Sequence, residues 1–362
     1  MKKLIIGIVI FAVLAAGGMF VLVNQDTFFQ AKEEPVPEAE QVIFNPLTGQ
    51  EIDEALPARP LAFSIDNIGD AKPQSNLSHA DIIYEFPVEG MQTRLQAVFY
   101  GDIPEFFGPC RSVRPYFVDM VREHGAIYVA HGWSGAAKRY LRKDVVPYYN
   151  AMEHGDDFYR VTDKESPHDS YIKWSTLKGI IDKNGWQDSD NVVRGFKFRT
   201  EDGQGASNGM ARAIEAAANE VYANTGAGSQ NLDNAKDATK INFHYAFADC
   251  TFNYDAETGE YGRMDYNSVY IDKETGKQIT VKNILAQTVS SEVLDEKGRL
   301  AIDMCAGGDA YLFTDGKVIK GTWSRDDLDS STIFVDDSGR EFRLAPGKTW
   351  IEVMDQNCTL KY

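Results

Sequence analysis

The chain has no cluster of lysine and arginine, and its formal net charge is −17, so duplex nucleic acid is excluded as a partner for the folded body. It also lacks a P-loop, a dinucleotide fingerprint and an H-E-x-x-H helix, which removes the common nucleotide, hydride-transfer and zinc-protease chemistries. Cysteine is scarce. The four residues Cys110, Cys250, Cys305 and Cys358 stand in no C-x-x-C spacing, so nothing indicates a zinc ribbon or a redox dithiol. Three disulfide pairings are open to them, and a bridge from Cys358 to Cys250 or Cys305 would pin the tail. No cofactor is expected.

What the chain does have is globular composition, 43% hydrophobic and 12% aromatic, enough for about two domains. Lys2 and Lys3 precede an uncharged apolar run, Leu4 to Val23, as long as a bilayer-spanning helix. Positive charge before the run and acidic sequence after it predict a single-pass anchor over 1–23, with the rest of the chain outside the membrane. A signal cleaved near Ala15 to Gly18 is the alternative. Residues 24–57 are acidic and proline-containing, which predicts a solvated spacer with a short docked piece at Ile43 to Leu47.

From Arg59 the texture becomes that of an α/β domain over 58–228. Residues 61–67, 81–86, 94–100 and 126–132 read as strands, and a helix is expected to begin near Val113 with Ser112 as its cap. Strand, helix, strand and the helix at 136–142 predict a mixed sheet containing a βαβ unit. The alternation of Leu95, Ala97 and Phe99 against Arg94 and Gln96 suits a sheet with one buried face. A further amphipathic helix is expected over 206–223, and the Gly- and Asn-rich stretch 224–240 marks the boundary. Residues 241–360 repeat short strands and turn signals about every ten residues, which predicts a mostly-β domain, either a meander, a sandwich or a partly open barrel.

The segment FFGPCRSVRPYFVDM places Arg111 and Arg114 beside a helix N-terminus, where free amides and the helix dipole favour an anion. That anion is either an internal carboxylate, with Glu85 and Glu89 shortly upstream, or a ligand's carboxylate or phosphate. Ligands of parallel sheets gather beyond the C-terminal strand ends. On that rule Asp66, Asn67, Glu85, Glu89, Arg94 and His131 are expected to line or brace a cleft with Arg111, Ser112 and Arg114. Tyr116 and Trp133 offer flat surfaces, and His168 beside Asp169 offers an acid or base.

Other chemistries fare worse. HGWSGA resembles a nucleophile elbow at Ser134, but Ala136 stands where the second glycine is required. Glu85 and Glu89, or Asp156 and Asp157, could serve as glycosidase carboxylates only at a separation that sequence does not give. Asp326, Asp327 and Asp329 lack the spacing of a calcium loop and read as a solvated acidic turn.

The segments RPLAFSIDN, AKPQSNLSHADIIYEFPVEG, TRLQAVF, GPCRSVRPYFVDM, SPHDSY, NYDAETGEYGR, NILAQ, GGDAYLFTDGKVIKGTW and LAPGKTWIEV together resemble the YerB-like family of bacterial lipoprotein-type proteins. The resemblance runs from about Arg59 to Met354. It implies a two-part, membrane-attached, extracytoplasmic protein of mainly Gram-positive bacteria, and supplies no catalytic residues. One departure stands out: no cysteine lies between Met1 and Pro109 to carry an acyl chain, so the peptide helix itself would be the anchor. The expectation is an envelope binding or scaffold protein that meets a wall polymer, peptide or partner protein at an arginine-lined cleft. An envelope hydrolase or transferase using His168, Asp169 or Glu89 is the alternative.

Overall fold

A computed structural model describes residues 43–52, 56–187, 190–199, 232 and 235–362. The apolar run at 4–23 and the helix expected over 206–223 lie outside the described residues. Among the described residues no helix is long and apolar enough to cross a membrane.

In the N-terminal half the strands are β1 (Leu61–Asp66), β2 (Ile82–Pro87), β3 (Thr93–Phe99), β4 (Ile127–Ala130) and β5 (Tyr148–Asn150). The helices are α1 (Pro115–His124), α2 (Gly135–Leu141) and α3 (Trp174–Asn184). β1 pairs antiparallel with β3 and parallel with β4, and β4 pairs parallel with β5, so the expected mixed sheet is present.

The C-terminal region is mostly β. Strands β6 (Lys240–Tyr245), β7 (Ala248–Asp255) and β8 (Glu260–Asp265) form the centre of a separate antiparallel sheet. Strands β9 (Asn283–Thr288), β10 (Gly308–Thr314), β11 (Lys317–Ser324) and β12 (Thr349–Met354) instead extend the N-terminal sheet. The resulting 11-stranded sheet runs Lys236–Asp237, β11, β10, β9, β12, β2, β3, β1, β4, β5, with Ile333–Asp336 also paired to β11. The two halves meet where β12 lies parallel to β2, Trp350 opposite Ile83 and Glu352 opposite Glu85.

Both faces of this sheet are covered. One core contains Phe86, Phe117, Leu312 and Ile351, and the other contains Phe63, Ile83, Phe243 and Trp350. The one-sided burial expected for β3 is therefore wrong: Gln96 is fully buried and Arg94 nearly so. Helix α1 covers their face, and Gln96 Nε2 donates to the Phe117 carbonyl at 3.0 Å. A side chain that alternation assigns to water is thus kept by a specific acceptor.

Helix α1 also begins later than expected. Val113 is held extended by a bridge to Trp133, with its N–H on the Gly132 carbonyl at 3.0 Å. The helix starts at Pro115, with Arg114 in the cap position and no side-chain cap bond. Ser112 Oγ donates to the His131 carbonyl, 3.3 Å away, instead of capping. α2 follows expectation, with Ser134 Oγ accepting the Ala137 N–H at 3.1 Å as its N-cap. The four cysteines are free thiols, so the suggested tail bridge does not form.

Candidate functional site

The C-terminal ends of β1, β4 and β5 point the same way because these three strands are parallel. Their next residues build one rim. Asp66 ends β1 and is 1% exposed. Its Oδ2 lies 2.9 Å from Arg111 Nε and 2.8 Å from His168 Nδ1. Arg111 reaches it because residues 108–111 run along the edge of β1, with the Arg111 N–H on the Ser64 carbonyl at 2.8 Å. Asp66 thus holds the guanidinium at its stem nitrogen by charge alone, since the contact lacks hydrogen-bond geometry. The two terminal nitrogens of Arg111 make no hydrogen bond to a described residue, and the side chain is 24% exposed.

Beyond β4 comes His131, half-buried, with Nδ1 2.6 Å from Ser170 Oγ. Burial, then the charges of Arg160 and Arg111, lower its pKa, so at neutral pH the imidazole is uncharged. Asn150, at the end of β5, holds the next turn: its Oδ1 accepts the Gly132 and Met152 N–H groups and its Nδ2 donates to the Gly132 carbonyl, each at 3.0 Å. Gly132 has φ +95°, and a Cβ there would come within 2.6 Å of Ser112 Oγ, so glycine is needed for this approach.

Arg160 completes the rim. It sits opposite Ser170 in a short antiparallel pair, makes an ion pair with the buried Asp169, and is itself exposed. Arg94 lies beneath, buried, with Nη1 donating to the Ser112 carbonyl at 2.8 Å. Burial lowers its pKa and the nearby Asp66 raises it. Three guanidinium groups, Arg94, Arg111 and Arg160, therefore face two carboxylates, Asp66 and Asp169. Arg111 and Arg160 present the solvent-reaching cations of this group.

The other expected residues lie elsewhere. Arg114 diverges from Arg111: its guanidinium is nearly buried, with Nε on Glu89 Oε2 at 2.9 Å and Nη1 on the Val113 carbonyl at 2.8 Å. The two arginines do not form a common clamp. Tyr116 is buried and donates to the Pro87 carbonyl at 2.8 Å, so it offers no flat surface. Trp133 is half-buried beneath Lys138, whose Nζ is 4.9 Å from the ring centroid.

Asn67 and Glu85 belong to the junction of the two halves. Asn67 Nδ2 donates to Glu85 Oε1 at 3.0 Å and to Thr93 Oγ1 at 2.8 Å, and Tyr270 OH donates to Asn67 Oδ1 at 2.7 Å. Glu85, Cys250 and Glu352 bring ligand-type atoms within 4.8 Å of one another. Arg263 Nη2, 3.2 Å from Glu85 Oε2, already supplies the positive charge there. In the acidic turn, Asp327 Oδ1 accepts the Asp329 N–H, and Asp329 pairs with Arg122.

Arg160 and Ser170 were not singled out from sequence. Their signal was the proximity of SPHDSY to a lone arginine, which has no meaning until the strands at 159–160 and 170–173 pair.

Comparison with known proteins agrees with the expected family. Residues 47–187 match the model described as "Protein of unknown function (DUF3048) N-terminal domain", and residues 239–351 match its C-terminal domain. "Putative lipoprotein YerB" of Bacillus subtilis (strain 168) is 31% identical over 326 residues, covering 89% of each chain. The crystal structure of the Bacillus subtilis YerB protein superposes with a TM-score of 0.72 at 28% identity, covering 88% of this chain and all of that one. The chain belongs to the two-domain DUF3048 family that includes YerB.

Proposed function

We propose that this protein is a membrane-tethered, extracytoplasmic binding protein that captures an anionic group of a wall polymer or envelope partner at Arg111. The observation that carries the reading is Arg111 itself. Its Nε lies 2.9 Å from the buried Asp66 carboxylate in an ion pair, while its terminal nitrogens are unused by described residues and lie at the rim shared with Arg160 and His131. A guanidinium held in this way loses little freedom when it takes an anion, and it presents a two-nitrogen fork to carboxylate or phosphate. The described chain begins at Ile43, whose neighbour Asn45 bonds Asp81 at 2.8 Å, at the opposite end of β2 from this rim. The binding rim and the start of the folded unit are thus at opposite ends of the sheet.

The test is binding of solubilised wall fragments to the full-length chain in detergent micelles. Arg111→Ala and Arg160→Ala should each weaken capture at least tenfold, with a steep loss at high salt. Unchanged capture by both variants would refute the proposal.

The Asp66–His168 pair supports a second reading. A carboxylate at Nδ1 orients the imidazole as it would a general acid or base. Muropeptide turnover by the purified chain, lost in His168→Gln, would favour a hydrolase or transferase.

A further inference from the structure

Beside the arginine rim lies a group of rings that the binding reading leaves unused. Tyr149, on β5, stacks on His154 with centroids 4.3 Å apart and planes at 6°. Phe158 is nearly parallel to Tyr149 at 6.3 Å, and its other neighbour is His131 at 6.1 Å. His154 is exposed and Phe158 half-buried, so a ring surface reaches solvent next to the cations. Phe158 has extended backbone, φ −103° and ψ 143°, and Arg160 follows two residues later; in such a chain both side chains leave on the same side. The ring, packed on one side against the core, and the guanidinium therefore lie on the same side of this segment.

The polar groups on this shelf are carboxylates. Asp156 and Asp157 lead into Phe158 and Asp157 accepts the Tyr149 hydroxyl, while Glu153 is engaged by Arg142 and Tyr148. Exposed carboxylates repel a polyanion such as a nucleotide, but they accept hydrogens from hydroxyl groups. A ring face for C–H groups, carboxylates for hydroxyls and two guanidiniums for one negative charge are the complement of a single chemical class.

Resting on the binding reading above, we infer that the ligand is an acidic saccharide. Its pyranose ring packs on Phe158 and His154, its hydroxyls meet Asp156 or Asp157, and its carboxylate sits between Arg111 and Arg160. A neutral sugar lacks the charge for the arginines. A simple anion lacks the ring for the shelf.

The experiment is calorimetric titration of the full-length chain in micelles with N-acetylmuramic acid, a glucuronate-containing tetrasaccharide, neutral chitotetraose and inorganic phosphate. At least one acidic saccharide should bind tenfold or more tighter than phosphate and than chitotetraose. His154→Ala and Phe158→Ala should erase that preference while leaving phosphate binding in place. The exposed position of His154 makes its variant the safeguard against misfolding. Arg111→Ala should weaken both classes of anion. Equal affinity for phosphate and the acidic sugars, or a preference unchanged in both ring variants, overturns the saccharide inference and leaves the anion site standing. Failure of every anion to bind would overturn the binding reading itself.

Discussion

Glu352 on β12 and Glu85 on β2 are register partners across the parallel junction of the two halves, and both are completely buried. Two adjacent carboxylates cannot both be charged in so dry a place. Arg263 neutralises Glu85, while Tyr245 OH and Cys250 Sγ donate to Glu352 at 2.8 Å each. Burial, reinforced by the charge on Glu85, pushes Glu352 up to about 8. Glu352 is therefore a carboxylic acid within the junction at neutral pH.

Stability should follow this proton. Glu352 is raised from 4.5 to about 8 on folding, so the folded chain binds more protons than the unfolded chain between those values. Unfolding free energy from this group falls as pH rises through that window and levels off above it. Urea denaturation from pH 5 to 9 should show the decline in wild type and a clearly flatter profile in Glu352→Gln. An equally steep profile in the variant would mean another group is responsible.

Arg263 should be hard to replace. It is buried among Phe252, Tyr270 and Trp350, with its guanidinium carbon 4.9–5.5 Å from their ring centroids. Arg263→Met keeps the bulk but strands the Glu85 charge, at a cost of about 3–5 kcal/mol. Adding Glu85→Gln to that variant should recover a substantial part of the loss, measured as the shift in urea midpoint.

The two arginines of the RSVR segment should separate experimentally. Arg111→Ala should weaken anion capture and cost about 1–3 kcal/mol, because the buried Asp66 loses one cationic partner but keeps His168 and Arg94 beside it. Arg114→Ala should cost about 1–3 kcal/mol through lost packing and the Glu89 pair, with anion affinity altered less than threefold. Thermal melts and titrations on the same preparations distinguish the two patterns.

Asn150→Ala should disorganise the rim from behind. It leaves the Gly132 N–H and carbonyl without their partner, at about 2–4 kcal/mol. Anion affinity should drop although Asn150 touches no ligand, and Asn150→Asp should restore only the two acceptor bonds.

Thiol chemistry offers a check on the interior. Cys250 is fully buried and its thiol pKa is raised by burial, and Cys110 is equally enclosed. A thiol reagent should modify Cys305 in the native protein, and Cys110 and Cys250 only at the rate of unfolding. A reducing agent should leave the melting temperature unchanged, since the thiols are unpaired.

Much of the local structure was legible. β1 to β4, α2 and the β texture after residue 240 follow from apolar runs and turn residues, because those signals act over a few residues. Ser112 misled: a serine ahead of an apolar helix has the pattern of a cap, yet Val113 is claimed by Gly132 and the helix waits for Pro115. Gln96 misled for a similar reason, since alternation cannot know that a helix will cover the sheet's second face. The rim was half legible: Asp66, Arg111, His131 and His168 come to it, Arg160 was missed, and Arg114 meets Glu89, the internal carboxylate that stood as one of the two alternatives.

By itself, then, the chain determined which segments extend, which coil, and where cations stand near strand ends. Only tertiary structure decided that β12 would lie against β2 rather than complete a sheet of its own. Backbone hydrogen bonding of parallel strands is indifferent to which apolar strand supplies the partner, so the choice fell to distant side chains. Glu85, Glu352, Arg263 and Cys250 each look like ordinary isolated residues until folding brings them together, where burial makes their mutual pairing obligatory.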